Sequence, residues 1–189
     1  PGSGVFKTTN GGTSWDTINK GLPAVDKGRI GLALSPSEPD IIYAIVEAAD
    51  GKGGFYRSTN QGASWSKMSK YKTSGNYYQE IVCDPLDKNK VFVMDTWLHH
   101  TIDGGKTVIA TGEKSKHVDN HAMWIDPANT THWLVGCDGG LYETWDHGKN
   151  WHYKTNLPIT QFYKVSVDNA SPFYNIYGGT QDNNSQGGP

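Results

Sequence analysis

The sequence predicts an all-β fold, a segment of a β-propeller built from four-stranded antiparallel blades. Three observations carry this expectation. An eight-residue pattern occurs four times, at 8–15, 58–65, 101–108 and 144–151, at intervals of 50, 43 and 43 residues. A second ladder of turns, at Pro36, Pro85, Pro127 and Asn169, keeps nearly the same spacing of 49, 42 and 42. The composition, with 23 Gly and 12% aromatic residues in 189, suits short strands and many turns. A fixed period of this size marks stacked repeats, and four strands per repeat is the propeller arrangement.

Taken in order, residues 4–15 read as a strand, a turn and the start of another strand. Gly21 to Gly28 forms a loop, and an apolar run over 29–34 is followed by the Pro-rich turn 35–40. A second apolar run covers 41–46, and a Gly-rich loop leads to Phe55-Tyr56-Arg57, the eight-residue pattern and a last strand to Met68. The unit then recurs with strand pairs at 80–83 and 90–94, at 121–125 and 132–136, and at 163–167 and 174–178. The expected division is a half blade at 1–20, blades at 21–70, 71–112 and 113–157, and a half blade at 158–189. The chain is expected to open on the third strand of one blade and to stop after the second strand of another. The remaining blades would come from the same or a partner chain. Pro1-Gly2-Ser3-Gly4 reads as neither a translation start nor a signal peptide. A half ring exposes strand edges, so these residues alone are expected to associate.

Each copy of the pattern has a physical logic. Asp or Asn at the third position (Asn10, Asn60, Asp103, Asp146) bonds nearby backbone N–H groups and closes a tight turn. Gly at the fifth position supplies positive φ. Trp at the eighth, replaced by Val108 in the third copy, anchors the hairpin on a core. These residues resemble the Asp-box, or BNR repeat, of sialidases, xyloglucanases and sortilin-type propellers. That resemblance implies a structural turn placed away from an active site.

Formal net charge is −2, which gives no electrostatic footprint for nucleic acid. No apolar run approaches the roughly 18 residues of a membrane-spanning helix. Cys83 and Cys137 sit in apolar runs and read as buried thiols rather than a disulfide framework.

Alternate turns of an antiparallel meander fall on opposite faces. The loops leading into each blade and those after second strands share one face, and that face collects the unusual side chains. Glu47, Asp119, Asp138 and Asp182 are its candidate catalytic carboxylates, since glycoside hydrolysis needs two that flank a bond. Asp138 also fits an ordinary Asp-Gly turn, and Asp182 is open between turn and ligand contact. Arg29, Tyr77, Tyr78, Trp97, His99, His121, Gln181 and Asn183 are candidate ligand contacts, the aromatics by stacking on sugar rings or peptide side chains. The aromatics equally fit core filling between blades. In His117-Val118-Asp119-Asn120-His121, an extended backbone would put His117, Asp119 and His121 on one side as a divalent-metal triad. The alternative is a polar loop bonded to itself. His99 and His100 could add a further ligand or an acid–base group. Only Arg29 and Arg57 are present, too few for the arginine grip of a sialidase.

Further stretches extend the resemblance to large bacterial BNR-repeat proteins of the glycosyl hydrolase-like and sortilin N-terminal-like kind. They are Gly28 to Ala33 with Tyr43 to Ala48, His121 to Pro127, Asp138-Gly139-Gly140, and Gln161-Phe162-Tyr163 with Thr180 to Asn183. The resemblance implies an exported protein, in the periplasm, at the cell surface or secreted, that binds or acts on polysaccharide. Sortilin-type propellers bind peptides instead, which implies a non-enzymatic binding or assembly module as the alternative.

Overall fold

The computed structural model describes residues 2–75, 77–157 and 159–189. Pro1, Asn76 (next to the candidate contact Tyr77) and Pro158 at the last expected boundary lie outside the described residues. Five antiparallel sheets follow one another along the chain. The first pairs β1 (Phe6–Lys7) with β2 (Asp16–Thr17). The second runs β3 (Lys27–Leu34), β4 (Ile42–Ala48), β5 (Gly54–Ser58), β6 (Ser66–Ser69), with one short 3₁₀ turn at Ala49–Gly51. The third runs β7 (Ile81–Cys83), β8 (Val91–Val93), β9 (His99–Thr101), β10 (Ile109–Ala110), and the fourth β11 (Asn120–Ile125), β12 (Trp133–Cys137), β13 (Gly140–Thr144), β14 (His152–Tyr153). The fifth holds β15 (Lys164–Val167), β16 (Ile176–Gly179) and β17 (Ser185–Gly188). The chain therefore does not stop after a second strand, because β17 pairs with β16 from Gly179↔Ser185 to Ile176↔Gly188.

The period of two in a strand explains the core. Along β4, Tyr43 and Ile45 join one cluster with Phe55, Ile81, Val91 and Val93, between the second and third sheets. Ala44 and Val46 join another with Val5, Leu22, Tyr56 and Trp65, toward the first sheet. Phe92, Met94 and Leu98 meet Ile125, Trp133, Val135 and Trp151 between the third and fourth sheets. Strands buried on both faces read as continuous apolar runs for this reason. The last sheet is different: Val165 and Val167 are each 59% exposed.

All four eight-residue turns build one network. The first-position hydroxyl accepts the N–H of the fifth-position Gly at 2.8–3.0 Å, as in Gly12 to Thr8 and Gly148 to Thr144. The same hydroxyl donates to Oδ1 of the third residue, which also accepts the N–H of the seventh at 2.9–3.0 Å. The side-chain bond to the seventh residue runs either way: Asn10 and Asn60 donate to Ser14 and Ser64 Oγ, whereas Asp103 and Asp146 accept from Thr107 and Asn150. Trp65 then donates its indole N–H to the Ile18 carbonyl at 2.7 Å, tying the second sheet to the first. Trp151 points the same group at Gly112 at 3.4 Å. Val108 keeps the packing but has no such donor.

Cys83 is buried, and burial pushes its thiol up to about 12. Cys137 is only half-buried, which corrects the expectation of two buried thiols. Both are free.

Candidate functional site

On the face opposite the eight-residue turns, side chains from neighbouring sheets meet in a continuous chain of contacts. Tyr78, in the loop leading into β7, is buried and donates its hydroxyl to Asp119. Burial and that carboxylate push the phenol up to about 12. The ring of Tyr78 stacks on His121, with centroids 5.4 Å apart and planes at 16°. His121 Nε2 lies 2.8 Å from Asp138 Oδ1, in the β12–β13 turn. Asn183, in the β16–β17 turn, donates its amide to the Asp138 carbonyl at 2.7 Å. One line of polar contacts thus crosses from the third sheet to the fifth.

Beside its end lies an open cleft of about 810 Å³ between the fourth and fifth sheets. Asp138, Gln181, Asp182 and Asn183 supply polar groups, and Tyr142, Tyr153, Phe162 and Tyr163 supply rings. His117 lies at the same cleft, against Gly139, where an added Cβ would come within 2.4 Å of the His117 Cβ and 2.5 Å of its Cγ. A smaller hollow of about 300 Å³, one sheet away, is lined by Tyr71, Ser74, Asp95, Trp97 and His99. Asp95 is buried and accepts from Ser74 N and Oγ, Thr96 N and Tyr71 OH at 2.7–3.2 Å.

The proposed metal triad is not brought together. Asp119 adopts φ 64 and a bulge follows between Asn120 and Ala122, so 117–121 is not a straight extended segment and the alternation fails. His117 Nδ1 instead faces the Val118 carbonyl, Asp119 takes Tyr78, and His121 takes Asp138. Among the described residues no group of three or more His, Cys, Asp and Glu could hold a metal ion.

The other candidates are distributed. The Glu47 carboxylate accepts the backbone N–H of Arg29 at 3.2 Å and lies over Gly28. Arg29 is exposed, as is Tyr77 at 73%. Asp138 occupies the expected Asp-Gly turn and lines the cleft as well. Asp182 is also a turn residue, at φ 63, in a hairpin closed by Thr180 N–H to Asn184 O. His99 Nδ1 is held by the Trp97 carbonyl at 2.7 Å. His100 turns away from this face, onto Thr111 and the Phe92 ring, and burial lowers its pKa.

Two features escaped the sequence reading. Tyr142, Tyr153, Phe162 and Tyr163 line the cleft, but the propensity signal of aromatics in strands does not separate cleft from core. Lys116 and Glu113 form a wholly buried ion pair at 2.6 Å beneath the site. Lys116 also donates to the His117 carbonyl and to Asn120, while Glu113 accepts the Leu98 N–H and the Asn120 amide. In a run reading Gly-Glu-Lys-Ser-Lys nothing announces burial.

No family model matches the chain. A xyloglucanase of Paenibacillus sp is 23% identical over 175 residues, spanning 76% of this chain and 16% of its own length. Among solved structures, the GH74 enzyme of Niastella koreensis superposes with a TM-score of 0.65 at 16% identity, over 95% of this chain and 30% of that one. YCF48 bound to D1 peptide gives a TM-score of 0.56 at 13% identity, over 94% of this chain and 56% of that one. The fold is that of a β-propeller. The chain spans less than a third of the xyloglucanase and GH74 relatives.

Proposed function

We propose that this chain is part of an exported Asp-box (BNR) propeller that binds polysaccharide in the cleft between its fourth and fifth sheets, in a glycoside hydrolase-like setting. The observation that supports it is the lining of that cleft. Four aromatic rings offer stacking surfaces, and Asp138, Asp182, Gln181 and Asn183 offer hydroxyl partners along one open wall. An open groove suits a long chain better than an enclosed small molecule. The matched relative is a xyloglucanase, which makes soluble xyloglucan the first probe. Export belongs to the same proposal, because such polymers lie outside the cell.

If the chain hydrolyses its ligand, Asp138 and Asp182 are the carboxylates placed in the cleft, with His121 and Asn183 fixing Asp138. One would have to carry a proton to the leaving oxygen and the other to act as base or nucleophile. Glu47 and Asp119 are held by backbone and by Tyr78 and are set aside for this role. The test is retardation of the chain in a gel containing soluble xyloglucan, together with reducing-end release. Retardation without release would make it a binding module, and Asp138→Asn or Asp182→Asn abolishing release would make it an enzyme. No retardation would sink the proposal. The rival reading, capture of an extended peptide, takes support from the likeness to YCF48 with its bound peptide.

A further inference from the structure

Position two of the eight-residue turn is Thr9, Thr59 and Ile102 in three copies and Trp145 in the fourth. The turn does not need a ring there, since the first-position hydroxyl accepts the Gly N–H and donates to the third-position Oδ1 in all four. Trp145 is nonetheless held firmly. One face of its indole stacks flat on His132, with centroids 3.5 Å apart and planes at 3°. Both His132 ring nitrogens meet carboxylates, Asp126 at 3.3 Å and Glu143 at 2.9 Å. Glu143 is in turn paired with Lys154. The Trp145 carbonyl accepts the Thr131 hydroxyl at 2.9 Å. Trp145 remains 54% exposed although one face is covered, so its other face is open to solvent. Trp124, 47% exposed, stands edge-on to the same His132.

The Trp145 side chain also hydrogen-bonds Glu143, so the indole is fixed in place while its outer side stays in solvent. It is pre-organised for a flat apolar partner. The surrounding groups narrow the partner. Asp126 and Lys154 keep a quarter and a third of their side chains in solvent. They retain hydrogen-bonding capacity for hydroxyl groups around the ring edge. A ring face bordered by such groups suits the C–H face and equatorial hydroxyls of a pyranose.

We infer that Trp145, backed by His132 and flanked by Trp124, forms a second polysaccharide-stacking site on the turn face of the fourth sheet. The inference rests on the proposed polysaccharide reading and adds a second contact for the same polymer. Gly140 at the cleft and Thr144 next to Trp145 mark opposite ends of β13, a strand of five residues or about 15 Å. One long polymer engaging both ends gains avidity that neither contact gives alone.

The test is retardation of the full chain in gels with graded soluble xyloglucan. Trp145→Thr is the main variant, because Thr already occupies this position in two copies and the turn accepts it. Trp145→Phe keeps a ring. Trp145→Thr is expected to weaken apparent affinity about five- to tenfold, the size of one aromatic stacking contact. Trp145→Phe should keep most of the affinity, with both melting temperatures close to the parent's. If Trp145→Thr is retarded like the parent while Tyr163→Ala in the cleft is weakened, this inference is overturned and the cleft reading stands. If Phe falls as far as Thr, the ring is not a stacking surface and the inference is also overturned. If the parent itself is not retarded, both readings fall.

Discussion

Lys116 offers the sharpest test of how the site is held. Its side chain is 0% exposed and that of Glu113 1%, with 2.6 Å between Nζ and Oε1. At an effective dielectric near 20 the attraction is about 6 kcal/mol, and desolvation of the two ions costs a similar several kcal/mol. The pair is therefore worth little net, but half of it is expensive. Lys116→Met strands the Glu113 carboxylate and removes the donor to His117 O and Asn120, an expected loss of about 3–5 kcal/mol. With a urea slope of about 2 kcal/mol per molar, the midpoint should fall by about 2 M. Glu113→Leu with Lys116→Met removes both charges, and the Leu98 N–H, the His117 carbonyl and the Asn120 Oδ1 lose these partners. It should recover at least about 2 kcal/mol relative to the sum of the single changes. Trp151, whose ring lies 5.4 Å from Lys116 Nζ, reports the transition by fluorescence. If the single losses simply add in the double variant, the charge pair does not hold this loop and the account is wrong.

Three further outcomes are expected. Backbone and side-chain donors from Thr107 and Asn150 hold Asp103 and Asp146 at about 2, below the unfolded carboxylate, so their stabilisation is present above about pH 4 and is lost as pH falls toward 2. Asp103→Asn with Asp146→Asn, the residue found in the first two turns, should flatten melting temperature against pH in that window; an unchanged slope would exonerate these carboxylates. The Tyr78 phenol, raised to about 12, contributes stability that is complete below about pH 10 and lost as pH rises through 12, and Tyr78→Phe should remove that part of the alkaline loss at a cost of about 1–2 kcal/mol near neutrality, read from urea midpoints. Gly12 and Gly105 share φ near 90°, but a Cβ on Gly105 would meet the Phe55 ring at 2.3 Å while one on Gly12 meets nothing closer than 3.9 Å. Gly12→Ala should cost about 1–3 kcal/mol for conformation and Gly105→Ala roughly twice that, and equal melting temperatures would refute the packing term.

How much could be read beforehand depended on whether the signal was local. The turn network is local: hydroxyl, Asp or Asn, Gly and a partner lie within eight residues, so four copies announced four hairpins. The buried strands announced themselves because both faces are covered, as in Ile42–Ala48. β17 had no such mark. Ser185-Gln186-Gly187-Gly188 offers no apolar side chain, and its strand exists through backbone pairing with β16 alone. The triad of His117, Asp119 and His121 failed because alternation assumes extended backbone, and one positive φ at Asp119 broke it. Tyr77 and Tyr78 looked equivalent, yet adjacent residues point opposite ways, leaving one 73% and the other 8% exposed. The contact between Asn183 and Asp138 spans 45 residues and depends on how two sheets sit side by side, which no local pattern encodes.

The two faces therefore differ in how their polar groups are satisfied. Each eight-residue turn closes its hydroxyl, Asp or Asn and Gly network within itself, with the Trp at its end as the link to the neighbouring sheet in the second and fourth copies. The opposite face bonds between sheets: Tyr78 to Asp119, the Asp119 N–H to the Thr96 carbonyl, Asn183 to the Asp138 carbonyl. Its groups come into register only when the sheets are packed, and the apolar clusters beneath set that packing. A site on that face can change its side chains without unfolding a turn, because the turns at the far end keep each sheet closed. Trp145 adds a ring at the second position, where the other copies have Thr or Ile, and that ring stacks on His132, whose two nitrogens meet Asp126 and Glu143. That ring, stacked on His132 on one side and 54% exposed, is what the Trp145→Thr comparison tests.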